Sequence, residues 1–169
     1  MRPLPPLAVL ACLGAGALHA SSAAAQVKPA GAGDIRDAIG DCLAITSASW
    51  IDLDKLKDEL DWDMATRTVG RSREKISGIY AKPGSEALII VGKPELKDKR
   101  CVVLARLPDT ASYHPTAEAL SSELGMPRQG EGMSYIWHQR AATIEMRPSG
   151  APDAPNAEFA VTASEEDKS

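Results

Sequence analysis

Ala87-Leu88-Ile89-Ile90-Val91 and Cys101-Val102-Val103-Leu104-Ala105 are apolar at every position rather than at alternate ones. Short unbroken apolar runs of this kind read as central strands of a sheet covered on both faces. Either helices cover both sides or a second subunit covers one. Just upstream, Lys82-Pro83-Gly84-Ser85 carries the Pro-Gly pair of a tight turn, so residues 76–81 and 87–91 form an antiparallel hairpin. Between the two apolar runs lies Lys93-Pro94-Glu95-Leu96-Lys97-Asp98-Lys99-Arg100, a dense cluster of basic residues. Two acids dilute it, and it reads as a solvated loop.

Working outward from this pair of strands, the N-terminal side is helical. Asp34 is placed to cap a helix in which Ile35, Ile39, Cys42 and Leu43 recur at i, i+4, i+7 and i+8. A second helix is expected from Asp52, with Leu53, Leu56 and Leu60 on one face and Ile51 as a hydrophobic staple. The acids Asp52, Asp54, Asp58, Asp61 and Asp63 lack the central Gly and distal Glu of a calcium loop, and carboxylates near a helix start are favourable without any metal.

On the C-terminal side, Pro115, Leu120, Leu124, Gly125 and Pro127 mark a third helix within 107–125. Strands follow near 133–138, 141–147 and 157–163. The Pro-rich run 148–155 reads as a long surface loop, and 164–169 as a disordered charged tail. The expected fold is α+β, an antiparallel sheet with helices in the order helix, helix, three strands, helix, three strands. The recurrence of a helix-plus-strands unit hints at a duplication, with no residue-level repeat to support it.

Tyr135, Trp137 and His138 invite a reading as a ligand platform. If Gln139-Arg140 is a hairpin turn, however, Trp137 pairs with Ala142, Tyr135 with Ile144 and Met133 with Met146. These six apolar residues then share one face, which assigns Tyr135 and Trp137 to the core and His138 to solvent.

The first residues settle where such a domain is expected to work. Arg2 precedes an apolar run from Leu7 to Leu18, and small residues follow at Ser21-Ser22-Ala23-Ala24-Ala25. This is the layout of a secretory signal peptide over residues 1–25, with cleavage after Ala25. The run is too short to cross a bilayer, which takes about 20 apolar residues. A lipoprotein signal ending at Cys12 is the rival reading, but it puts Leu10 where a small residue is usual. Residues 26–33 are then a flexible linker and 34–163 a single domain with no transmembrane segment, periplasmic or secreted. Removing 25 of 169 residues leaves 144, enough for one core. Arg2 leaves with the leader, so 18 basic residues face 23 acidic ones, and nucleic acid is a poor partner for that balance.

With Cys12 lost, Cys42 and Cys101 remain, and an even count in an exported chain argues for a disulfide. Two free buried thiols are the alternative, and a metal pair lacks its further ligands.

Catalytic signatures are missing from the linear sequence. No nucleophile elbow, P-loop or dinucleotide fingerprint occurs. Only His114 and His138 remain in the mature chain, where Glu118 or Glu145 facing one of them across the fold is the conceivable acid/base pair. No catalytic, cofactor or metal residue is assigned. The preferred expectation is a non-catalytic binding, inhibitory or assembly module of the bacterial envelope, partnered by a protein, a small molecule or a second copy as a homodimer. The alternative is a small carboxylate/His-dependent hydrolase.

Overall fold

The computed structural model describes residues 28–91, 100–139 and 141–163. The expected leader, the tail and all but the last residue of the basic segment lie outside the described residues. The elements are α1 (Ala32–Ile45), α2 (Leu53–Asp58), β1 (Asp63–Val69), β2 (Ser72–Ala81), β3 (Leu88–Val91), β4 (Arg100–Arg106), a 3-10 turn (Thr110–Ser112), α3 (Tyr113–Leu124), β5 (Arg128–Gln129), β6 (Tyr135–Gln139), β7 (Ala142–Ala151) and β8 (Ala154–Ala163). All eight strands form one sheet in the order β1-β2-β3-β4-β8-β7-β6-β5, antiparallel throughout.

The class is α+β with an antiparallel sheet, as the sequence predicts, but the order is not. Four strands, not three, follow the first two helices, and four follow α3. β1 escapes a reading by periodicity because most of it is exposed and shows no apolar face. β5 is two residues long and carries no pattern at all. The Pro-rich run 148–155 is also corrected: β7 and β8 pair down to Ala151↔Ala154, leaving a two-residue connection. β7 runs past Met146, its last partner on the β6 side. Pro148 therefore sits on a sheet edge, where a missing N–H is tolerated.

Each half is helical first, with two helices in one and α3 in the other, followed by a four-strand meander, and the halves join through their last strands. Their core is built in rows across the sheet. Tyr80, Ile89, Val103, Phe159, Met146 and Tyr135 are successive partners, as are Val91, Cys101, Val161, Ile144 and Trp137. Ile89, Val103, Phe159, Met146 and Ile144 are fully buried, each side chain contributing about 1.5–3 kcal/mol of transfer free energy.

α1 lies on these rows through Ile35, Ala38, Ile39, Cys42 and Ile45. It starts two residues before the expected cap, Asp34, whose carboxylate instead accepts from the Gly31 N–H in the first turn. Cys42 of α1 and Cys101 of β4 form the disulfide, with Cα atoms 5.5 Å apart. In α2, Asp52 caps as expected, accepting from Lys55 N–H at 2.9 Å. The helix stops at Asp58, and Leu60 packs on the core from beyond its end. Asp61, at φ 59, turns the chain into Trp62.

The β6–β7 register differs from expectation by one residue on each strand. Gln139 pairs with Ala142, Trp137 with Ile144 and Tyr135 with Met146. Slipping both strands by one leaves the faces unchanged. Trp137 is 1% exposed and His138 lies on the solvent side, while Met133 leaves the core and is exposed.

Candidate functional site

The aromatic segment fastens α3 to the sheet. Trp137 donates its indole N–H to the Gly125 carbonyl at 3.0 Å and Gln139 donates to the Leu124 carbonyl at 2.6 Å. Both satisfy carbonyls that the end of a helix leaves without partners. At the other end of α3, the Tyr113 hydroxyl lies 2.7 Å from the Met133 carbonyl and 3.1 Å from that of Met146. Burial, followed by the charges of Tyr135 and Glu145, pushes the Tyr113 phenol above its ordinary range. His114 Nδ1 hydrogen-bonds the Tyr135 hydroxyl.

The expected acid/base pairings do not form. His114 meets Tyr135, His138 faces the Thr143 hydroxyl at 3.4 Å, and the Glu145 carboxylate accepts from the Arg147 guanidinium at 2.7 Å. Among the described residues no hydrogen bond or ion pair links either histidine to Glu118 or Glu145. No group of three His, Cys, Asp or Glu side chains among the described residues could hold a metal ion.

A polar cavity of about 210 Å³ lies between α1 and the turn after β2, lined by Asp34, Asp37, Asp41, Trp62 and Lys82. Its groups are largely engaged with each other. Asp41 accepts from Trp62 Nε1 at 2.8 Å and from Lys82 Nζ at 3.2 Å, and the ammonium stands 5.8 Å from the Trp62 ring. The arrangement clamps the first helix to the outer strands.

The other face of the sheet carries no helix among the described residues. There Ile79, Ile90, Val102, Ala160, Glu145 and Ile136 are successive partners, beside the row Leu88, Leu104, Glu158 and Arg147. The helices pack on the opposite face, so of the two arrangements expected for the central strands, helices on both sides is not the one found among the described residues. Ile89 and Val103 are 0% exposed, whereas Leu88, Ile90, Val102 and Leu104 between them are only half-buried. At the β6–β7 end this face dips into a cavity of about 520 Å³ lined by Glu131, Met133, Ser134, Ile136, Glu145 and Arg147. The uninterrupted apolar runs were its sequence signal, because alternate residues of those strands supply both the core and this face.

These features define a helix-backed antiparallel α+β sheet with one open, apolar-centred face. No family model matches the chain, and no curated protein or solved structure matches it significantly.

Proposed function

We propose that this is an exported protein of the cell envelope, periplasmic or secreted, acting as a non-catalytic binding, inhibitory or assembly module through the open face of its sheet. The observation that carries the reading is the distribution of cover. Three helices share one face, while Ile79, Leu88, Ile90, Val102, Leu104 and Ile136 occupy the other without being fully buried. A contiguous, half-buried apolar surface with a charged margin is what a partner can cover. Export is supported by the leader-like residues 1–25 and by the Cys42–Cys101 bond, since disulfides persist in oxidising compartments. No helix among the described residues is long and apolar enough to cross a membrane.

The test couples location to the surface. Tagged chain recovered from the periplasm or medium should begin at or near Gln26, and reversible cross-linking there should retain one partner in constant ratio. The double variant Ile90→Lys, Val102→Glu, checked for its disulfide and for native circular dichroism, should lose that partner. Retention of the partner by the folded variant, or a chain that keeps Met1 in the cytoplasm, refutes the reading.

A further inference from the structure

Only the base of the β1–β2 hairpin pairs with the rest of the sheet. β2 pairs with β3 only at Ile79, Tyr80 and Ala81. Just upstream the β1–β2 register jumps, from Met64↔Tyr80 to Thr66↔Lys75, and Gly78 adopts φ 78, a bulge of the kind that bends a strand. Beyond it, Thr66↔Lys75, Arg67↔Glu74, Thr68↔Arg73 and Val69↔Ser72 form a ribbon with no third strand among the described residues.

The composition of this ribbon is opposite to that of the protein. Residues 66–75 hold Arg67, Arg71, Arg73 and Lys75 against the single acid Glu74, a surplus of +3 in a chain whose total is −4. The remainder therefore carries −7. Arg67 is paired across the ribbon with Glu74 at 3.2 Å. Arg71, Arg73 and Lys75 are exposed, with no ion pair among the described residues. Beside the turn, Val69 is 48% exposed. Three steps of a strand reach roughly 10 Å, slightly more than the Debye length of about 8 Å at physiological salt. Salt therefore weakens the opposing field of the acidic body at the tip.

We propose that this ribbon docks the protein onto an anionic phospholipid surface. Cations flanking a small exposed apolar tip match the layering of a bilayer interface, with phosphates outermost and the acyl boundary beneath. A single-stranded nucleic acid would favour stacking aromatics, and the ribbon has none. An acidic polypeptide would engage the cations but has no particular use for Val69. The inference does not depend on what occupies the open sheet face, which is remote from the ribbon in strand order for most of its width.

The experiment is sedimentation of the mature full chain with vesicles of phosphatidylglycerol and phosphatidylcholine, against phosphatidylcholine alone. The wild type should bind only the anionic vesicles, and less as salt rises. A basic residue near such a surface is worth about fivefold in partitioning, so Arg71→Gln, Arg73→Gln, Lys75→Gln together should weaken binding about 100-fold. The charge-conserving Arg71→Lys, Arg73→Lys should retain it, and Val69→Ser should weaken it less than the triple change. Equal binding to both vesicle types, no wild-type binding at low salt, or unchanged binding by the triple variant overturns the proposal. So does binding of soluble poly-glutamate by a chain that ignores the vesicles.

Discussion

Asp41 of α1 accepts a 2.8 Å hydrogen bond from the indole N–H of Trp62, a residue 1% exposed. Asp41→Ala strands that buried donor and should cost about 1–3 kcal/mol in urea unfolding. Asp41→Asn keeps an acceptor and should recover most of the loss. Lys82→Ala removes a partly exposed ion pair and a long cation–π contact with Trp62, strands no buried donor, and should cost less than Asp41→Ala, about 1 kcal/mol.

Cys42 and Cys101 are both 0% exposed and bridge 59 positions. Peptide mapping without reductant should recover them as one linked species. Cys42→Ala with Cys101→Ala should lower stability by about 2–5 kcal/mol. Two alkylatable thiols in protein purified under oxidising conditions would contradict the bond.

Tyr113→Phe should cost about 1–3 kcal/mol, because the hydroxyl is the shared donor for the part-buried Met133 carbonyl and the buried Met146 carbonyl. It should also change the alkaline limb of stability. The folded chain holds the phenolic proton above the ordinary value of 10.0, chiefly through burial. The unfolded chain releases its proton first. Stability from this group is therefore full below pH 10 and declines as pH rises beyond it. Denaturation midpoints measured across that range should fall more steeply for the wild type than for the variant.

Two Gly→Ala substitutions should move stability in opposite directions. Gly150 sits at φ 80, where an added Cβ would lie 2.4 Å from the Ala154 carbonyl oxygen and 2.6 Å from Asn156 Nδ2. Gly150→Ala should destabilise by about 1–3 kcal/mol. Gly40 lies inside α1 with nothing within 4 Å of the added atom, so Gly40→Ala should stabilise by roughly 0.5–1 kcal/mol. Thermal melts of the two variants decide both signs.

Residues that repeat with a helix or strand period were legible before any coordinates. Cys42 sits on the same stripe as Ile35 and Ile39, and Trp137 alternates with His138, so burial of one and exposure of the other followed from spacing alone. β1 was not legible. Its distal half is solvated on both faces, and without a buried side there is no period to detect. The same absence hid the ribbon: Arg71, Arg73 and Lys75 are plain in the sequence, yet only the bulge at Ile76–Gly78 separates them from the sheet. The two apolar runs mark β3 and β4 as central strands, but how the halves join was illegible, because β4 meets β8 in a pairing between distant segments with no local signature.

That pairing also dictates an order of events. Every other strand contact joins neighbours in sequence through a hairpin, whereas β4 and β8 join residues from 62 positions apart, Arg100↔Thr162, to 50 apart, Arg106↔Asn156. Closing so long a loop costs entropy before any contact repays it, which makes this union late in folding. The disulfide lies wholly within the first half and can close beforehand. Until the halves meet, each presents a bare strand edge, the apolar Cys101 to Ala105 on one and Ala157 to Val161, interrupted only by Glu158, on the other. Edges built to pair with each other pair equally well between two molecules. Misassembly by exchange of half-sheets therefore competes with folding in proportion to chain concentration, and the interval of risk ends when β8 docks on β4.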